Sequence, residues 1–371
     1  MCHRGPLAVA IVSAEAKWHG GEEQARLLAH GLRQRGHQVA ILARAGGAFA
    51  ERMAAEGHEV VAFAGNGRSP AALWRLRRFL RQLRPDVLHA NEANALTPAG
   101  VASVGLRIPA RVVSRRLDFP VHFAIRYRAF CDRVICVSRR VAEVCQESGI
   151  PPRLLCLVHD GVDPQRVGSG DRRRGRRSLG ASDADCVLLT VARLSDHKGH
   201  RFLLDAMPAV LNRHPEVRLF LAGDGELDDK LRAQARNLAI DAAVRFLGYR
   251  HDVPDLIHAA DLFVLPSHLE GMGSTLVDVM LSGVPIVTTT AGGIPDVTGS
   301  SEPDGEPTAW TVPPRDPQAL AAAIVQALQS PEEVAVRCRR ARRRAEERFT
   351  AARMVEETLA VYWAVLASRQ K

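Results

Sequence analysis

Short apolar, β-branched runs alternate along the chain with longer stretches whose apolar residues recur every three or four positions. LAVAIVSA, QVAILAR, EVVAFA, DVLHAN, ARVVSRR and RVICVS are separated by helical stretches such as QARLLAHGLRQRG. That alternation predicts a parallel sheet covered by helices. The pattern pauses between about Leu157 and Asp183, where turn residues and a basic run replace any sustained apolar period. It resumes with CVLLTVARL, VRLFLAGDG, VRFLGY, LFVLPS and PIVTTTAGG, again with helices between them. After AWTVPP three helical segments follow, the last carrying Met354, Leu359, Val361, Tyr362, Val365 and Leu366 at helical spacing.

Each half is read as a Rossmann-like α/β domain: residues 1–160, then a linker over 161–182, then 183–348. The helix 349–371 is expected to pack back on the first domain. Ligands of open parallel sheets bind at the carboxyl ends of the strands, so two such domains facing each other make a cleft, with chemistry in the strand-to-helix loops.

Composition adds limits. A chain of 371 residues is long for one core and suits two. With 46% hydrophobic and 25% charged residues it is an ordinary globular composition. No apolar run approaches the roughly 20 residues of a membrane span, and the N-terminus reads as a first strand without a cleavage site, which places the protein in the cytoplasm. Seven cysteines form no CxxC pair, and most sit in apolar patterns, Cys2 apart, which argues against disulfides, zinc and thiol catalysis. The formal charge of +9 is uneven: residues 1–160 carry 23 Lys and Arg against 13 Asp and Glu. A basic half suits a phosphate-bearing partner such as anionic lipid or a phosphorylated glycan, or else reflects solvated helix faces. Nucleic acid is disfavoured, because only 5% of residues are aromatic.

Three loops carry candidate chemistry. In KWHGGEEQ, Gly20 and Gly21 precede a helix, where amides can approach an anion or simply form a turn. TVARLSDHKGH puts Arg193 and Lys198 in one strand-to-helix loop, able to close on a diphosphate or to sit as surface cations. LFVLPSHLEGMGSTLVDVM holds Glu270, the amides of Gly271, Met272, Gly273, Ser274 and Thr275, and Asp278 shortly into the helix. Carboxylates there suit sugar hydroxyls and the amides a phosphate; equally, the carboxylates suit a helix N-terminus.

The chain resembles the retaining, GT-B-fold glycosyltransferases of the glycosyltransferase-four, or group 1, type. The likeness rests on the GG-E start, DVLHAN, HDGVD, VARLSDHKGH, LFLAGDGELDDKL, FLGYRHDV, the EGMG segment and ERFTAARMVEETLAVY, which span nearly the whole chain. It implies a nucleotide-diphosphate-sugar donor in the C-terminal half and a glycan or lipid-linked acceptor, without a metal or other cofactor. By that resemblance Arg193 and Lys198 bind the diphosphate and Glu270 the donor sugar hydroxyls. The 271–275 amides bind sugar and phosphate, Asp278 the ribose, and the loop of Arg250 the base, while Gly20 and Gly21 close on the donor from the first domain. Two departures stand out: Asp278 replaces the family's second Glu, and Arg115 and Arg116 stand where many members carry a His, with His122 further on.

Asp183 and Asp185 form a D-x-D pair, but they open a strand away from the other motifs. LWRLRRFLRQLRPD reads as a helix whose leucines pack on the sheet while its arginines are solvated, or as a membrane-surface helix. The implied function is sugar transfer in bacterial cell-surface polysaccharide or lipopolysaccharide synthesis, with peripheral contact to an anionic inner membrane. Alternatives are a catalytically inactive GT-B scaffold subunit and a nucleotide-sugar epimerase.

Overall fold

The computed structural model describes residues 5–302 and 305–369; Cys2 and positions 370–371 of the C-terminal segment lie outside the described residues. The chain divides into two units. One runs to Gly161 and is completed by the residues from Ala351 onward; the other spans Val162–Thr350.

The first unit holds seven strands: β1 (Ala8–Ser13), β2 (Gln38–Arg44), β3 (Glu59–Phe63), β4 (Val87–Ala90), β5 (Ala110–Arg115), β6 (Arg133–Cys136) and β7 (Leu155–Leu157). They pair in parallel in the order β3-β2-β1-β4-β5-β6-β7, with Ala10 opposite Ala40 on one side and Leu88 on the other. The second unit holds β8 (Cys186–Val191), β9 (Val217–Ala222), β10 (Val244–Gly248), β11 (Leu262–Leu265), β12 (Ile286–Thr289) and β13 (Trp310–Val312). Their order is β10-β9-β8-β11-β12-β13, also parallel. Helices cover both faces of such a sheet, so its strands read as unbroken apolar runs: Val9–Val12 and Val187–Leu189 are fully buried.

In both units the strand order reverses about the first strand. The loops after β1 and β4, and those after β8 and β11, therefore flank the crevice where doubly wound sheets bind ligands.

The C-terminal helix Ala351–Ser368 belongs to the first unit. Met354, Val355, Leu359, Tyr362 and Val365 enter the same core as Leu28 and Leu32 of the helix Gly20–Gln34. Gly31 makes the approach possible, since a Cβ there would lie 2.5 Å from a Val355 methyl. The Tyr362 hydroxyl meets His89 Nδ1 at 2.5 Å, and His89 Nε2 meets Ser114 Oγ at 2.8 Å. Burial, reinforced by Arg116, holds that histidine neutral, with its pKa lowered to about 3.

Of the stretch 161–182, read above as a linker, all but Gly161 is folded into the second unit. It carries the helices Pro164–Gly168 and Arg172–Leu179. The second has no apolar stripe to reveal it; it is held by arginines. Arg174 forms a two-pronged ion pair with Asp255, while Arg172 and Arg176 share Asp261.

Candidate functional site

In the second unit, the loop after β8 is shaped by three glycines. Gly199 sits at φ +71°, and a Cβ there would lie 2.0 Å from the Pro266 carbonyl oxygen. Gly223 and Gly225, after β9, press against the carbonyls of Ala192 and Leu194, where a Cβ would come within 2.0 and 2.3 Å. The Leu194 N–H donates to Asp224 O at 2.8 Å. Only glycine lets three backbones approach this closely.

The same loop is bonded to the one after β11. The amides of His268 and Leu269 both donate to the His197 carbonyl, at 2.9 and 3.3 Å. His268 Nε2 lies 3.1 Å from Asp196 Oδ2, and its Nδ1 lies 3.2 Å from Arg315. The side chains of Lys198 and Glu270 meet across this seam: Lys198 Nζ donates to Glu270 Oε2 at 2.6 Å, and Ser267 Oγ donates to the same oxygen at 3.2 Å. Glu270 is buried, and its carbonyl accepts from the Gly293 amide at 2.8 Å. An ammonium and a carboxylate are thus fixed together at the carboxyl ends of the two strands that flank the switch point.

Beside them the helix Ser274–Ser282 begins, preceded by Gly273 at φ +83°. Its first amides have no partner within the helix and carry the positive end of its dipole. Gly271 and the buried Met272 complete the turn that leads into it. Asp278 lies one turn in, where Arg166 grips it with Nη2 at 3.1 and 3.0 Å from its two oxygens.

Not every candidate gathers at the pair. Arg193 is exposed and reaches Glu226 at 3.1 Å. Arg250 is bound to its neighbour Asp252 at 2.7 Å, at the end of β10, while the adjacent Tyr249 is exposed and stacks edge-on against His251 at 4.8 Å. Glu270 and Asp278 each hold a cation of their own, Lys198 and Arg166. Asp185 accepts from the Ser182 amide and hydroxyl at 2.7 and 2.8 Å, ahead of β8 and at the opposite end of the sheet from these loops. Among the described residues no group of three metal-ligating side chains assembles.

Sequence reasoning missed Arg166, which is 112 residues from its partner, and the His268–Asp196–Arg315 chain. It also missed His200, buried two residues after Lys198 with neither ring nitrogen hydrogen-bonded among the described residues. Burial, with Lys198 and His197 close by, lowers the His200 pKa to about 4.

The first unit has its own pocket of about 320 Å³ at its switch point, lined by Gly21, Glu22, Asn91, Glu92, Arg116 and Arg126 among others. Arg116 donates to the Asn91 carbonyl at 2.7 Å, to Asn91 Oδ1 at 3.0 Å and to Asp160 at 3.0 Å. Glu92 accepts from the Ala14 amide at 2.6 Å, and burial pushes its pKa up to about 8; burial also raises Glu22, against the pull of Arg116. The pocket also includes the exposed His122 and the buried Arg115, whose Nη2 donates to the Phe119 carbonyl at 2.6 Å. Gly20 opens the first helix with open space where a side chain would be, and Gly21 is in ordinary contact with Arg116 and Asn91 at 3.9 Å.

Residues 18–166 match the sequence model of Glycosyltransferase Family 4, and residues 171–346 that of Glycosyl transferases group 1. The chain belongs to the family 4, group 1 glycosyltransferases. The glycosyltransferase is similar to the glycogen synthase of Mycobacterium tuberculosis, 29% identical over 301 residues that make up 76% of this chain and 70% of that one. It is 28% identical to the lipopolysaccharide core biosynthesis glycosyltransferase LpsE of Rhizobium meliloti, over 59% of this chain and 60% of that protein. Among solved structures, Anabaena HepE in complex with UDP and glucose matches with a TM-score of 0.82 at 25% identity, covering 96% of this chain and 99% of that one. The architecture of the glycosyltransferase is accordingly GT-B.

Proposed function

We propose that this glycosyltransferase moves a sugar from a nucleotide-diphosphate donor to a glycan or lipid-linked acceptor with retention of anomeric configuration, in the cytoplasm, for cell-surface polysaccharide or lipopolysaccharide synthesis. The observation that carries this reading is the Lys198–Glu270 pair at the switch point of the second unit, beside the open amides of a helix start. Lys198 and Arg193 would receive the departing diphosphate, with the amides of Gly273, Ser274 and Thr275 adding partial positive charge. The amides of Gly271 and Met272 would add to this cradle for sugar and phosphate. Glu270 would accept hydrogen bonds from the donor sugar, Asp278 from the ribose, and the Arg250 loop would border the base. Gly20 and Gly21 would admit a phosphate close to backbone. Attack by the acceptor hydroxyl on the face the diphosphate leaves preserves configuration, and fixed charges rather than a covalent intermediate lower the barrier. The cations needed are side chains, so the reading calls for no metal or other cofactor.

UDP is the first nucleotide to test, because HepE was solved with UDP and glucose, and LpsE supports the class of product. The decisive experiment is a thermal-shift series of UDP, GDP, ADP, dTDP and their sugars on the wild type and on Lys198→Ala, since a ligand bound only by the folded state raises the melting temperature. One nucleotide should stabilise the wild type and not the variant. A cooperative melt that no nucleotide moves would sink the donor site and favour an inactive scaffold. Proton NMR of the product then reads the anomer; an inverted linkage contradicts retention.

A further inference from the structure

The second unit holds a cavity of about 550 Å³ that shares no residue with the loops of Lys198 and Glu270. It lies beside β13, the edge strand of the sheet, against the helix Pro317–Gln329. Thr308 to Val312 line it without a break on the strand side, and Ala319, Ala322 and Ala323 line it from the helix. The alanines are spaced to share one helix face, and their small side chains keep the space open.

Trp310, in the middle of that strand wall, has a proton that the fold does not use. The residue is 4% exposed, yet its buried indole Nε1–H has no hydrogen-bond partner among the described residues. A buried indole ordinarily pairs that donor. Arg337 lies over the ring at 4.2 Å and holds it in place.

The charges around the cavity are already paired. Arg337 donates through Nε to Glu333 at 2.9 Å, through Nη2 to the same carboxylate and through Nη1 to the Ala309 carbonyl. Glu302 is held by Arg344 at 2.9 Å and Arg348 at 2.7 Å, and Glu306 by Arg340 at 3.3 Å and by Arg343. The lining therefore presents no cation ready for an anion. What it does present is neutral: the hydroxyls of Ser300 and Thr311, the exposed amide of Gln326 and the indole N–H, set against the alanines.

From this chemistry we infer that the cavity is a binding site for a neutral saccharide. A sugar ring carries hydroxyls around its edge, which donate and accept, and C–H faces that rest on small apolar side chains. The volume is that of a small-molecule pocket and admits a disaccharide. A nucleotide or a phosphorylated sugar is a poor occupant, because two carboxylates and a fully engaged arginine face it. An extended peptide adding to the sheet edge is also disfavoured: β13 has three residues, and Arg337 already takes the Ala309 carbonyl. The inference is read by binding alone, without donor or transfer, so it and the proposed function can fail separately.

The test is proton–nitrogen NMR of the four indole groups in the full chain, the Trp310 signal being identified by replacing Trp18, Trp74 and Trp363 with Phe in turn. Titration with maltose, cellobiose and mannobiose should move the Trp310 indole signal saturably with at least one of them while the other three hold still. Ala322→Tyr fills the cavity from an exposed helix position and should abolish that movement. Gln326→Ala, also on the exposed helix surface, should weaken binding about fivefold through one lost hydrogen bond. Thermal melts would confirm that both variants are folded, and Lys198→Ala should bind the same saccharide as the wild type. A Trp310 signal that no disaccharide moves, a shift that survives Ala322→Tyr undiminished, a shift lost in Lys198→Ala, or an equal response to inorganic phosphate or to an uncharged peptide would each overturn the site.

Discussion

The two units of this glycosyltransferase wind their sheets in the same order and furnish their switch points in opposite ways. In the second, the loops after β8, β9 and β11 are bonded backbone to backbone, with glycines pressed against carbonyls, and the product is a rigid seat for one ammonium and one carboxylate. In the first, the pocket is lined by side chains with unspent capacity. The half-buried Glu92 keeps a buried Oε2 without a hydrogen bond and has a raised pKa, Arg115 and Arg126 each keep a buried Nε without a hydrogen bond among the described residues, and the exposed Leu117 lines the pocket with them. Shared topology fixes where a site lies; it does not fix whether backbone or side chains build it.

The sharpest way to break this comparison is Lys198→Ala. If the second unit carries the charge that drives transfer, turnover should fall by roughly a hundred- to a thousandfold, as when one preorganised charge is removed. The melting temperature should also drop, because Glu270 would be left buried without its cation. Steady-state kinetics that change only a few-fold would show that the pair is structural.

Next in size is Gly199→Ala. The added methyl meets a carbonyl oxygen at 2.0 Å and imposes a left-handed backbone on alanine, which together should cost about 3 kcal/mol in denaturant titration. A loss below about 1 kcal/mol would mean that the loop yields, and the rigid-seat description of the second unit would not survive.

Much of this contrast could be read from the sequence, and the exceptions have physical causes. Parallel strands buried on both faces leave unbroken apolar runs, so β1, β8 and their successors are visible, and two cations between a strand and a helix mark the loop of Lys198. The helix Arg172–Leu179 escaped because its stability lies in ion pairs with Asp255 and Asp261, some 80 to 90 residues away, and not in a stripe of its own. The partnership of Arg166 with Asp278 leaves no local trace for the same reason. The burial of the Glu92 Oε2 is equally invisible, since a glutamate after a strand ordinarily faces water. Sequence displays periodicity and loop chemistry; it hides which distant charges meet.

That hidden carboxylate supplies a smaller and pH-dependent test. A Glu92 pKa of about 8 in the folded protein exceeds the ordinary carboxylate value, so the folded state keeps a proton that the unfolded chain releases. The unfolded state then binds fewer protons, and stability falls as pH rises from about 5 towards 8. Glu92→Gln retains an acceptor for the Ala14 amide but cannot ionise. Its stability relative to wild type should therefore grow by about 2 kcal/mol between pH 5 and 7. Parallel pH profiles for the two proteins would show that Glu92 is ionised and solvated, and the first pocket would lose its buried acid.

The smallest effect distinguishes the glycines of the two units. Gly199 is required by its own fold, whereas nothing lies within 4 Å of a Cβ built on Gly20 and its φ is not in the left-handed region. At the start of a helix, Gly20→Ala should then leave stability unchanged or raise it by about 0.5 kcal/mol, through the narrower unfolded ensemble. If a phosphate must come close to this backbone, the same methyl should lower kcat/KM while the melting temperature holds. If activity and stability both stay at wild-type levels, Gly20 is only a turn. A clear loss of stability would instead mean that the glycine is needed by the fold, and the contrast with Gly199 would disappear.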